Sequence, residues 1–176
     1  LGSGKGVINI SAIPDINWKD DYDPIDIGQV LSNAFFLDMD SNTVSISDSD
    51  GKLRLISFIF TRCPMPNMCP AVIAKNLYLA EEFKDSNLEF IIISFDYLFD
   101  TPSIIKLNYS SYQRRYPNLH FLSSLNHIND IYSLAGQSFV SFWGIEENDI
   151  GHSLRSILID HERRLLLAYD GLDWEP

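Results

Sequence analysis

Cysteine, basic side chains and long apolar runs are all scarce in this chain of 176 residues. Two cysteines are too few to staple a small scaffold, and a chain this long builds a core without staples. No apolar run reaches the ~18 residues that a membrane-spanning helix needs. The longest, residues 53–60, is interrupted by Arg54. Thirteen Lys and Arg face 24 Asp and Glu, a net charge of −11. A surface of that sign repels phosphate, which argues against general nucleic-acid binding. Trp18, Trp143 and Trp174 are too scattered to form a base-stacking platform. At the start no basic segment precedes an apolar one, so no signal peptide is legible.

What remains is ordinary globular composition. Hydrophobic residues make up 45% and charged residues 21%, enough for one real core and against wholesale disorder. The expected organisation is an N-terminal extension over 1–33, loose and partly extended, then a single domain over 34–176. Within the extension only 7–10 reads as a strand. Residues 35–38 and 43–47 are β-prone and separated by a turn at Asp40-Ser41-Asn42. Residues 53–60 read as a central strand covered on both faces. Apolar spacing predicts a helix over 70–83, and 88–95 reads as a second buried strand. Thr101-Pro102 opens a helix running to about 115, with Thr at the cap and Pro at the first position. A strand at 119–122, a helix at 128–135 stopped by Gly136, and strands at 139–143, 154–160 and 165–169 complete the reading. Strands alternating with helices imply an α/β fold with a mostly parallel sheet. The order strand, helix, strand, helix, terminal hairpin is thioredoxin-like, with an additional N-terminal β-hairpin.

The informative segment is Phe60-Thr-Arg-Cys-Pro-Met-Pro-Asn-Met-Cys-Pro70, between a strand and a helix, where open α/β sheets collect ligands. Cys63, Met65 and Cys69 each precede a proline, which pushes them out of helical geometry. On one continuous helix the two cysteines would be separated by ~9 Å of rise. A curled loop instead brings Cys69 back towards Cys63, within reach of a disulfide. Pro70 suits a first helical position and places Cys69 at the N-cap, where amides and dipole stabilise a thiolate, with Arg62 adding positive charge. Such an environment marks reactive cysteines rather than a purely structural pair. The pair alone leaves redox chemistry and metal binding both open. The spacing is not CxxC, and no second pair completes a four-ligand zinc site.

Of four histidines, His120, His127 and His161 read as surface residues. His152 precedes a β-prone run, and Gly151 beside it permits close approach of another backbone. Spacing alone leaves His152 open between an ordinary hydrogen-bonding group and a ligand.

Thr61-Arg-Cys-Pro-Met-Pro-Asn-Met-Cys-Pro70 resembles the cysteine motif of the Sco (SenC) family, thioredoxin-fold, membrane-tethered copper proteins. The usual motif has three residues between the cysteines. The five here resemble a bacterial subgroup with a longer loop. Ser94-Phe-Asp-Tyr-Leu-Phe-Asp-Thr-Pro102 is similar to the family's stretch of two aspartates before a helix-opening Thr-Pro. His152-Ser-Leu-Arg155 followed by Ile159-Asp160 is similar to its histidine motif, although Asp149 is not adjacent to His152 as an acidic residue is in the commoner subgroup. Gly171-Leu-Asp-Trp174-Glu-Pro176 resembles the subgroup's C-terminal strand exit. The match covers about 28–176.

The resemblance implies that Cys63, Cys69 and His152 bind copper, as Cu(I) or Cu(II), in a metallochaperone for the CuA centre of cytochrome c oxidase. The implied partner is the oxidase copper subunit or another copper or thiol protein. The implied location is the bacterial periplasm, tethered to the inner membrane by an N-terminal anchor outside this chain. A final helix is expected to follow Pro176. The chemistry agrees: thiolates are soft ligands for Cu(I), and one imidazole is an acceptable third. Asp96 or Asp100 is expected to orient the site, since metal-bound histidines donate their other N–H, although either could instead cap the next helix. Met65 and Met68 are expected to line the loop as apolar filling rather than to ligate.

A competing reading is a thiol–disulfide oxidoreductase that reduces a partner's cysteines, with Cys63 attacking and Cys69 resolving. Under oxidising conditions the two cysteines are expected to form an intramolecular disulfide. A peroxide-reducing relative would need a peroxidase cysteine motif, which is absent.

Overall fold

The computed structural model describes residues 24–171. The strand expected at 7–10, the exit around Trp174 and the rest of 1–23 and 172–176 lie outside the described residues. The elements in order are β1 (Phe35–Leu37), β2 (Thr43–Ser45), a 3-10 turn (Ile46–Ser49), β3 (Leu53–Ile59), α1 (Cys69–Glu82), β4 (Leu88–Ser94) and α2 (Pro102–Arg115). There follow β5 (Leu119–Ser123), α3 (Ile128–Gln137), β6 (Phe142–Trp143), β7 (Gly151–His152), β8 (Arg155–Ile159) and β9 (Leu165–Asp170).

Seven strands form one sheet in the order β2-β1-β5-β4-β3-β8-β9, and β6 with β7 makes a separate two-stranded ribbon. The arrangement is thioredoxin-like. Only β3, β4 and β5 run parallel, in register Phe58↔Ile93 and Ile92↔Phe121. The pairings β1–β2, β1–β5, β3–β8 and β8–β9 are antiparallel, so the sheet is mixed rather than mostly parallel. The reason is local for two of these. Short turns join β1 to β2 and β8 to β9, which makes those two pairings antiparallel, whereas a parallel return needs a crossover helix; β1–β5 and β3–β8 join strands distant in sequence.

The three parallel strands carry the core. Ile56, Ile59, Phe90, Ile92, Ile93, Leu119 and Phe121 are essentially inaccessible, as continuous apolar strands covered on both faces must be. α1 buries Val72, Ile73, Leu79 and Ala80 against β3 and β4. α2 starts where the sequence places it: Thr101 Oγ1 accepts from Ile104 N at 3.3 Å, and Pro102 opens the first turn. Tyr109 of α2 stacks on Phe121 of β5 at 4.5 Å between ring centroids. Before β1, Leu31 is fully buried and its amide donates to Arg163 O at 2.8 Å, so the segment ahead of residue 34 packs on the domain from residue 24 onward. Strand β6 is shorter than the expected 139–143. Phe139 has φ of 58°, which ends extended geometry there and leaves only Phe142 and Trp143 to pair. Among the described residues no helix is long and apolar enough to cross a membrane.

Candidate metal centre

The parallel strands β3 and β4 end side by side, and both following loops emerge at the same end of the sheet, where ligand sites of α/β folds collect. The loop after β3 carries both cysteines. It turns tightly twice, with Cys63 N donating to Phe60 O at 3.4 Å and Met68 N to Met65 O at 3.1 Å. The prolines hold these turns open and return Cys69 to the head of α1. The ribbon β6–β7 supplies His152 from the other side.

These elements bring together Cys63 Sγ, Cys69 Sγ and a His152 ring nitrogen, all within 4.8 Å of one another. Cys69 Sγ lies 3.5 Å from His152 Nε2. The imidazole is wedged between Phe60, edge-on at 5.5 Å, and Phe95 at 4.9 Å. Phe95 in turn stacks on Phe142. Cys69 is 1% exposed and His152 9%, while Cys63 is half-buried, so the group opens to solvent on the Cys63 side.

The electrostatics follow from burial. Loss of water pushes the Cys69 thiol far above its ordinary range, and the neighbouring Cys63 adds to this. His152 is held below its ordinary value by the same loss of water. Its Nδ1 lies 2.9 Å from Ser153 O, so Nδ1 carries the proton and donates. Nε2 therefore presents a lone pair towards Cys69, whose S–H donates to it. Three donors of this kind, two sulfurs and one imidazole nitrogen, surround a space that an ion with bonds near ~2.0–2.3 Å fills after small shifts. Soft sulfur with one imidazole fits copper, and among the described residues no carboxylate joins the group to favour a hard cation.

Several expectations need correcting. Cys69 is the first residue of α1 rather than its cap. Met68 holds the cap position, without a side-chain hydrogen bond. The helix terminus does not give Cys69 a stabilised thiolate, because its sulfur points into the apolar interior. Arg62 brings little net positive charge to the loop, because Asp96 pairs with it at 2.7 Å. Neither Asp96 nor Asp100 touches His152, whose free N–H goes to the Ser153 carbonyl. Both aspartates are fully buried and tie the loops behind the sulfurs. Asp100 accepts from Thr61 N at 2.8 Å, from the Thr61 hydroxyl and from the Ser94 hydroxyl. Desolvation nevertheless raises its pKa. Asp96 accepts from Arg62 and from Phe99 N at 3.1 Å. Met65 does not fill the loop's interior, since it is 48% exposed. Gly151 meets the backbone of Trp143 in the β6–β7 pairing, as expected, and the side chain of the same residue as well. A Cβ there would sit 2.4 Å from Trp143 Cε2, so the indole lies flat on the glycine beside the histidine. His120 and His127 are half-buried, and with exposed His161 they lie outside the group.

Residues that the sequence does not single out complete the site. Ser153 acts through its carbonyl and Phe60, Phe95 and Phe142 act as walls, roles that leave no spacing signature. Asn148, at φ 57°, accepts from Arg62 Nη1 across the mouth.

Residues 28–175 match the family model described as SCO1/SenC. No curated protein matches the chain. Solved structures share the fold. An Aquifex aeolicus putative electron transfer protein is 18% identical, with a TM-score of 0.72 over 85% of this chain and 88% of its own. A SCO1/SenC family lipoprotein from Bacillus anthracis is 24% identical, with a TM-score of 0.70 over 85% and 89%. Arabidopsis thaliana ScoI with copper bound is 22% identical, with a TM-score of 0.65 over 84% and 90%.

Proposed function

Since the chain belongs to the SCO1/SenC family, we propose that it carries copper through Cys63, Cys69 and His152 and serves assembly of the CuA centre of cytochrome c oxidase. The observation that carries the copper assignment is the convergence of two reduced sulfurs and an imidazole lone pair within 4.8 Å in a walled, mostly buried group. Copper is cargo here. Cys63, half-exposed, meets it first, and Cys69 and His152 close on it from inside. Cys69 must give up its proton when it binds, so uptake releases acid and strengthens as pH rises. The receiving protein would be the oxidase copper subunit or another protein offering thiolates. The place of action would be the periplasm; the Bacillus anthracis lipoprotein of the same family supports the coarser part of this, a site outside the cytoplasm.

The second reading, a dithiol reductase, is favoured by the closeness of the two sulfurs but weakened by Cys69. A buried thiol held well above its ordinary pKa is a poor thiolate and a slow resolving group. Titrating Cu(I) and Cu(II) into the reduced protein and into His152→Ala separates the two readings. Copper carriage predicts one tightly held ion in the wild type and weaker Cu(II) binding with an altered spectrum in the variant. Equal affinity in both would remove His152 from the site and favour the reductase.

A further inference from the structure

Arg62 precedes Cys63 and joins its own loop to two others. Its Nη2 and Nε donate to Asp96 Oδ2 at 2.7 and 3.1 Å, its Nη1 donates to Asn148 Oδ1, and its guanidinium carbon stands 4.2 Å from the centre of the Phe99 ring. Asp96 is fully buried, so one side of the guanidinium is anchored in the interior. The other side reaches an exposed asparagine four residues before His152. Asn148 sits at φ 57°, and the next amide, Asp149 N, closes the loop on Gly144 O at 2.9 Å. The cleft between this loop and the cysteine loop is lined by Phe60, Arg62, Pro64, Asn148, Asp149 and Ile150. The Arg62–Asn148 bond crosses that cleft, from the chain that bears the sulfurs to the chain that bears the imidazole.

We propose that Arg62 and Asn148 form a latch that sets how firmly His152 engages copper held by Cys63 and Cys69. Both are positioning residues that act through His152. This rests on the copper reading above. Two thiolates alone satisfy Cu(I), whereas Cu(II) depends more on the imidazole. A closed latch therefore retains Cu(II), and an open one leaves a dithiolate site that holds Cu(I) and releases Cu(II). The guanidinium is anchored by a charged pair on one side and by a single neutral bond at an exposed residue on the other, so the Asn148 arm is the one that opens.

The test uses Asn148→Gly, which keeps the positive φ but removes the acceptor, and Asn148→Asp, which keeps an acceptor oxygen and tolerates the same backbone. Loss of a group hydrogen-bonded to a ligand costs 10–100-fold in metal affinity, and Asn148 acts one step further out, through Arg62, so the low end of that range is taken. Asn148→Gly is therefore expected to lower Cu(II) affinity about tenfold while Cu(I) affinity stays within about twofold. That difference raises the copper midpoint potential by about 59 mV. Asn148→Asp, which turns the neutral bond into a charged pair, should hold Cu(II) at least as firmly as the wild type. In a His152→Ala background, Asn148→Gly should add nothing. Backbone amides of residues 149–153 in the copper-free protein should exchange with solvent faster in Asn148→Gly and no faster than wild type in Asn148→Asp. Unchanged exchange and unchanged Cu(II) affinity would overturn the latch, as would an Asn148→Gly effect that persists undiminished without His152. Failure of the wild type to bind copper would overturn the reading of the site, and with it the latch's role, whatever the exchange rates show.

Discussion

Two arginines eight positions apart mark the two ends of strand β3, and they do different work. Arg54, in β3 near its start, is fully buried. Its Nη1 donates to Ile46 O at 3.1 Å and to Asp50 Oδ1 at 2.6 Å, and its Nη2 donates to Asp160 O. It thereby pins the 3-10 turn and the β8–β9 turn to the sheet. Asp50 is held in addition by Arg163. Arg62, just beyond the end of β3, keeps 31% of its side chain exposed and ties together the loops that carry the proposed copper donors. Both pair with an aspartate, yet their surroundings differ in kind. Around Arg54 the acceptors are largely backbone carbonyls of fixed turns. Around Arg62 one acceptor is fixed and the other sits on an exposed loop. The first arrangement is suited to holding a fold and the second to the latch proposed for the site.

The difference can be broken from either end. The largest effect should come at the site itself. Cys69→Ser removes one of two sulfurs, so it should cost more copper affinity than the 10–100-fold lost with an outer partner, while the thermal unfolding midpoint moves little. Competition with a Cu(I) chelator, read beside a melting curve, checks both halves. Copper held at wild-type affinity would sink the ligand assignment.

At the opposite end, Arg54→Leu should do the reverse. It strands the Ile46 and Asp160 carbonyls and costs about 3 kcal/mol of stability, the sum expected when a buried charged donor is taken from its acceptors. Copper bound per folded molecule should stay the same. Urea unfolding with parallel metal analysis measures this. A variant that is stable but fails to hold copper would show that the two ends are coupled and the comparison is wrong.

A smaller effect is readable in pH. Burial holds His152 below its ordinary 6.5. The unfolded chain takes up that proton at about 6.5, and the folded chain only at lower pH. The stability that neutral His152 contributes is thus full above 6.5 and is lost as pH falls from 6.5 through the depressed value. The slope is at most one proton, about 1.4 kcal/mol per pH unit. Urea midpoints at pH 7.5 and 5 for wild type and His152→Gln should diverge by less than that limit at each unit. Identical pH slopes would mean that His152 is more open to water than its position between Phe60 and Phe95 allows.

Much was legible in the chain itself. The buried strands over 53–59 and 88–94 follow from unbroken apolar runs, and α2 from Thr101-Pro102, because strand burial and helix capping are local consequences of residue type. Cys63 and Cys69 stood out because three prolines forbid a helix through them, and His152 because a motif followed it. What the sequence could not determine depends on which chain meets which. Whether Cys69 is a stabilised thiolate or a buried thiol turns on a few ångströms of orientation at the head of α1, and the apolar interior decided it. That Nδ1 of His152 is served by Ser153 O, and that Asp96 serves Arg62 instead, depends on backbone and side-chain placement that no spacing encodes. The Arg62–Asn148 bridge joins residues 86 apart. Residue type and local spacing determine elements and donors, whereas proton positions, partners and exposure are properties of the packed interior and exist only once the loops have closed over it.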